Sequence, residues 1–151
     1  MSVSEAEIIT TQESAMLVTM RVNQQLFGIP VRHVRDVLKE YSIASIPLAQ
    51  PDILGSINLR GRIVTVIDVR KRLGLEDGAK GAKRMFVVVE HHSQYYSLLV
   101  DSVGEVLTIP VSQIDKALNN LDPAWREVVC GIYRLPEELL VIIDTHIFLT
   151  L

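Results

Sequence analysis

From residue 16 onward, short aliphatic runs alternate with polar or glycine-containing breaks, the rhythm of strands and tight turns and not of long helices. Residues 1–14 are polar and acidic without period and read as a flexible N-terminal tail, which leaves 15–151 as the folded unit. Met16 to Val22 and Gln25 to Ile29 make a hairpin about Asn23-Gln24. Pro30 opens a stretch in which Val31, Val34, Val37 and Leu38 recur at helical spacing, so a helix is predicted there. Tyr41 to Ile46 reads as a strand, and Pro51 to Leu54 as one helical turn ended by Gly55. Ser56 to Leu59 and Arg62 to Asp68 form a second hairpin around Arg60-Gly61, and Asp68 is placed to cap a short helix through Leu73. Residues 74–83, with three glycines and mixed charge, read as a linker.

The pattern then restarts. Met85 to Glu90 and Gln94 to Val100 are predicted strands around His91-His92-Ser93, followed by a strand to Ile109 and a turn with a short helix from Pro110. A hairpin of Cys130 to Leu135 and Leu139 to Asp144 and a helix through Leu149 complete the chain. Met16-Leu17-Val18 recurs as Met85-Phe86-Val87, and Val34 to Leu38 recurs as Val103 to Leu107, each 69 residues on. Gly55 to Asp68 recurs as Gly131 to Asp144 at an offset of 76. The first repeat covers about 16–73 and the second about 84–151. Two similar small β-lobes are expected, each too small for a generous core of its own and therefore packed on the other. In Arg62 to Asp68 both faces, Ile63, Thr65 and Ile67 against Val64 and Val66, are largely apolar, so the strand is expected to be buried on both sides.

Composition narrows the class. The chain has 151 residues, 48% apolar but only 5% aromatic, which is the make-up of a globular aliphatic β protein. Its net charge of −3 argues against a nucleic-acid or anionic-membrane binder, and no aliphatic run approaches the length of a membrane span. One cysteine, Cys130, excludes an intramolecular disulfide and a cysteine zinc cluster. A cytoplasmic location is expected.

No catalytic constellation emerges. His33, His91, His92 and His146 sit in no metal-ligand spacing, and His91-His92 reads as polar filler in a turn, so no metal site and no cofactor is expected. Asp68 and Asp144 recur as a pair, but each stands between strand and helix, where capping explains it better than a catalytic dyad. Nothing assembles a nucleophile, a base and an oxyanion site. Surface remains. Arg70, Lys71 and Arg72 read as a solvated helix face, Trp125 as a staple under a loop, and the hairpin-tip Arg60 as an interface anchor.

The run Ile53-Leu54-Gly55-Ser56-Ile57-Asn58-Leu59-Arg60-Gly61-Arg62-Ile63-Val64-Thr65-Val66-Ile67-Asp68-Val69-Arg70 resembles the most specific stretch of the CheW coupling proteins of bacterial chemosensory systems. Phe27-Gly28-Ile29, Val34-Arg35-Asp36-Val37 and Val100 to Val106 support the resemblance, which covers about Ser14 to Leu151. Without kinase or receiver modules, the chain resembles the stand-alone adaptor. The resemblance implies a mainly β fold of two small five-stranded SH3-like β-barrels packed together, with short helices. It implies a non-catalytic role joining the regulatory domain of a CheA-type histidine kinase to the cytoplasmic tips of chemoreceptors, with ring contacts to other CheW-like domains. The same adaptor in a chemosensory-like pathway for pili, surface growth or second-messenger output is the alternative. Carried over position by position, Asp36, Val37 and Arg60 fall at the kinase contact. Val34, Leu99, Val103 and Val106 fall near a groove between lobes that takes the receptor, with plain core packing as the competing reading.

Overall fold

A computed structural model describes residues 14–47, 49–78 and 81–150 of the chain, so the expected tail lies, except for Ser14, outside the described residues. Ten strands form two five-stranded sheets: β1 Ser14–Val22, β2 Gln25–Pro30, β3 Val34–Leu38, β4 Ile53–Leu59, β5 Arg62–Asp68, β6 Met85–His91, β7 Gln94–Val100, β8 Ser102–Pro110, β9 Val129–Arg134 and β10 Leu139–Ile143. Helices are short: α1 Val69–Arg72, α2 Pro123–Arg126 and α3 Thr145–Thr150. The mainly β expectation and the five-stranded count hold.

The sheets do not coincide with the repeats. One sheet runs β8-β1-β2-β10-β9 and the other β3-β6-β7-β5-β4. The first two strands of each repeat leave their own half and join the last three strands of the other. Advancing each strand by one repeat turns one order into the other, so the molecule has an internal two-fold relation with exchanged hairpins. The expectation that each repeat would build its own lobe is thereby corrected. In each sheet the donated hairpin meets its hosts through a parallel pair, Leu140↔Leu26 to Ile142↔Gly28 in one and Thr65↔Tyr96 to Asp68↔Leu99 in the other.

Burial follows from this exchange. Each sheet curls over an interior of its own, Leu17, Leu26, Ile109, Leu140 and Ile142 in one, Ile57, Val64, Val66, Phe86 and Leu99 in the other. Between the sheets lies a larger shared cluster that includes Met20, Phe27 and Val141 from one side and Ile67, Val87 and Leu98 from the other. Alternate residues of one strand serve different cores: Leu98 and Val100 enter the shared cluster, while Leu99 between them enters the interior of its own sheet.

Three local expectations fail for physical reasons. The stretch after Pro30 forms one 3-10 turn, Val31–His33, and then strand β3. Its helix-like spacing arises from a β-bulge: Val34 pairs with Val89 and Val37 with Val87, so one extra residue on β3 turns alternation into a three-residue step. The same step recurs in β8, where Val103 faces Met20 and Val106 faces Val18. Tyr41 to Ile46 yields a single bridge, Ala44 to Ser56, and of the helical turn predicted over Pro51 to Leu54 only Pro51 and Asp52 form a turn, Ile53 and Leu54 being the start of strand β4. Gly55, at φ 151°, sits against that bridge; a Cβ there would come within 2.0 Å of the Ala44 carbonyl oxygen. Gly131 repeats the arrangement beside the bridge from Asp115 to Ile132, which is why a glycine opens this part of both repeats.

The helix caps hold as predicted. Asp68 is 2% exposed and accepts from the Arg70 and Lys71 amides, and Asp144, 3% exposed, accepts from the Ile147 amide. The reading of Arg70 and Arg72 as solvated does not hold. Arg70 pairs with Asp101 through two hydrogen bonds of 3.1 and 2.5 Å. Arg72, its side chain 5% exposed, bonds Asp52 and the Phe148 carbonyl. The Trp125 indole donates to the Leu73 carbonyl at 3.0 Å and its ring lies 5.4 Å from that of Phe27, so it ties α1 to the shared core.

Candidate interaction site

Arg60 stands at the tip of the β4–β5 hairpin with a left-handed backbone, φ 52°, followed by Gly61 at 82°. The Asn58 side chain accepts from the Gly61 amide at 2.8 Å and holds the turn closed. The arginine is thereby thrust outward, its side chain 76% exposed, and reaches the Asp36 carboxylate on β3 at 3.1 Å. β3 and β4 are the two edges of their sheet, so this ion pair bridges edge to edge and shows how strongly the sheet curls. Asp36 is itself steadied by the Val37 amide at 2.9 Å.

An ion pair this exposed contributes at most about 1 kcal/mol to stability. Its consequence is placement: it holds a guanidinium at Asp36, the residue before the exposed Val37. Ile63, across the same hairpin, is 65% exposed. Sequence patterning placed Ile63 in a doubly buried strand; only its neighbours Val64 and Val66 face the sheet interior. Next to it the Arg62 guanidinium lies over the Tyr95 ring at 4.0 Å. Exposed arginine and aliphatic side chains, with a half-buried tyrosine behind Arg62, are the residue types of a protein interface.

Asp36, Val37 and Arg60 are therefore brought together. The four residues carried over to the groove divide. Val34 and Val103 are half-buried against the shared cluster at equivalent places in the two repeats. Val106 is 48% exposed and lies beside exposed Met16 on the face of β8 and β1. Leu99, 5% exposed, belongs to the interior of the second sheet and presents no surface to a partner. Met16 and Val106 correspond, repeat to repeat, to Met85 and Val37, so each sheet carries a methionine–valine pair at the same place. Sequence spacing held the signal for that second face, but not for its exposure.

Among the described residues no helix is long and apolar enough to cross a membrane. The chain is 28% identical to the chemotaxis protein CheW of Bacillus subtilis over 141 residues, 93% of this chain and 88% of the relative. It is 28% identical to protein PilI of Pseudomonas aeruginosa over 80% of this chain and 68% of that one. The crystal structure of the scaffolding protein TtCheW from Thermoanaerobacter tengcongensis superimposes with a TM-score of 0.80 at 31% identity, covering 91% of this chain and 93% of that one. The model of the CheW-like domain matches residues 16–150, and with two curled five-stranded sheets around a shared core the chain belongs to the CheW-like domain family.

Proposed function

We propose that this protein is a non-catalytic cytoplasmic adaptor that couples a CheA-type histidine kinase to the cytoplasmic tips of chemoreceptors. The family's scaffolding character supports a role without catalysis. The observation that carries the reading is the projecting Arg60, steered by Asp36 beside Val37 on an open sheet edge. In this reading the edge receives the kinase regulatory domain. The apolar face of Val103 and Val106, with Val34 across the shared core, receives the receptor's helical hairpin. Leu99 acts only from inside, as packing.

The test is co-sedimentation and kinase activation with a CheA-type kinase and receptor fragments. Arg60→Glu should change stability by under about 0.5 kcal/mol. It should weaken kinase binding by roughly thirtyfold, the equivalent of about 2 kcal/mol. Val106→Glu, on exposed surface, should reduce receptor binding and spare kinase binding. Normal kinase activation by the Arg60→Glu protein refutes the assignment. The likeness to PilI favours a second reading, the same adaptor in a pathway for pili or another output. Loss of surface motility with intact swimming after deletion of the gene would select it.

A further inference from the structure

Three of the four histidines, His91 and His92 read as polar filler and His146 far from them in sequence, converge in space. The β6–β7 turn carries His91 and His92, and α3, reached through β10 of the other sheet, carries His146. Each offers one ring nitrogen, and these three atoms lie within 4.8 Å of one another. The ring centroids are 4.0, 4.7 and 5.5 Å apart. His92 adopts a left-handed backbone, φ 51°, and so do the next residue, Ser93, and the equivalent turn residues Asn23 and Gln24. That conformation brings two consecutive rings side by side where an extended strand would send them to opposite faces.

The internal two-fold relation shows what this place does in the other half. There the turn residue Asn23 meets Arg70 of α1, the residue that corresponds to His146. Arg70 bonds Asp101 twice, the Glu76 carbonyl at 2.9 Å and the Asn23 side chain at 3.5 Å, and Asp101 accepts from the Asn23 amide at 2.8 Å. A cation on the helix and an anion beside the turn lock that junction. In the second half the anion's position is taken by Arg32, the arginine's by His146, and Val22 and Asn23 become His91 and His92. The locking charge pair is gone, and three imidazoles stand in its place.

We propose that His91, His92 and His146 bind a divalent transition-metal cation of the zinc class, which ties the β6–β7 turn to α3. Three imidazoles suit Zn²⁺, with the fourth tetrahedral position left to water or an incoming carboxylate. Zinc–nitrogen bonds of about 2.0–2.1 Å set neighbouring ligand nitrogens about 3.3 Å apart. The three nitrogens reach that spacing by side-chain rotation, for which exposed His92 has room. Because the turn belongs to one sheet and α3 follows a strand of the other, the cation would bridge the sheets as Arg70 and Asp101 do opposite by bonding Asn23 of the β1–β2 turn.

The experiment uses the full chain without an affinity tag, titrated with Zn²⁺ by calorimetry and with Co²⁺ by visible absorption. One metal per chain is expected, with Co²⁺ d–d bands of a four- or five-coordinate nitrogen site. At free Zn²⁺ about a hundredfold above the dissociation constant, the melting temperature should rise by roughly 5–10 °C. His92→Asn keeps a residue suited to the left-handed turn and His146→Gln keeps a polar side chain; each should weaken binding by at least about tenfold and remove the thermal shift. If His146→Gln fails to fold, His92→Asn alone decides. No uptake by the parent protein at about 1 mM metal, far weaker than a built zinc site, overturns the proposal. So does parent-like affinity in His92→Asn.

Discussion

Leu98→Ala tests whether the two sheets stand or fall together. Leu98 is fully buried at the centre of β7, paired with Val87 on one side and Ile67 on the other, and its side chain enters the cluster shared by both sheets. A buried leucine cut to alanine costs about 2–5 kcal/mol, the spread reflecting how far the site can collapse. Here strands flank the cavity on both sides and a second sheet closes it, so collapse is restricted and about 3–4 kcal/mol is expected. In a chain of this size that lowers the melting temperature by roughly 6–16 °C. Far-UV circular dichroism reports both sheets, and the single tryptophan, Trp125, reports the shared core through Phe27. Since the cluster that holds Leu98 is lined by both sheets, neither can unfold without exposing the apolar face that the other packs against it. The two signals should therefore move to lower temperature together, in one transition. Two separated transitions, or a shift under about 2 °C, would refute the reasoning.

Gly55→Ala should destabilise by at least about 2 kcal/mol in urea unfolding, because the new methyl meets the Ala44 carbonyl on a backbone that disfavours a side chain; an unchanged midpoint would show that the bridge from Ala44 to Ser56 is dispensable. Burial pushes the Asp101 carboxyl up, but the Arg70 hydrogen bonds, the Asn23 amide and the charges of Arg70 and Arg84 together hold it below its ordinary value. Its stabilisation is then fully present above the ordinary aspartate value of about 3.9 and is lost as pH falls below it. Asp101→Asn should accordingly lower stability at neutral pH and flatten the acid limb of a stability–pH curve, and parallel curves for parent and variant would contradict this.

The strands, hairpins and caps were readable because they depend on neighbours in sequence. A residue pair that can take left-handed φ, Asn23-Gln24 or Arg60-Gly61, closes a hairpin wherever it occurs, and Asp68 and Asp144 cap helices that begin at the next residue. The helix expected over Val34, Val37 and Leu38 shows where local reading ends: a bulge gives a strand the spacing of a helix, and only the partner strand β6 reveals the bulge. The resemblance brought Asp36, Val37 and Arg60 to one place, and the structure puts two of them within 3.1 Å.

Repeat units are visible in sequence because they are copies, but strand pairing is a long-range choice among similar edges. Hairpin β1–β2 has the same pattern whether it joins its own repeat or the other, so the exchange was decided only in three dimensions. Three consequences depend on that choice. Leu99 turns inward because the exchanged β7 lies between β6 and β5, Ile63 is left outside by the curl of the sheet, and His146 arrives beside His91 and His92 from a part of the chain more than fifty residues away. Sequence alone determined the strands other than the bulged β3, their hairpin turns and the two-fold repetition, through local backbone preference and apolar alternation. Tertiary structure alone decided which strands pair, which apolar residues stay in water and which histidines meet, because those outcomes depend on packing between segments that carry no local record of one another.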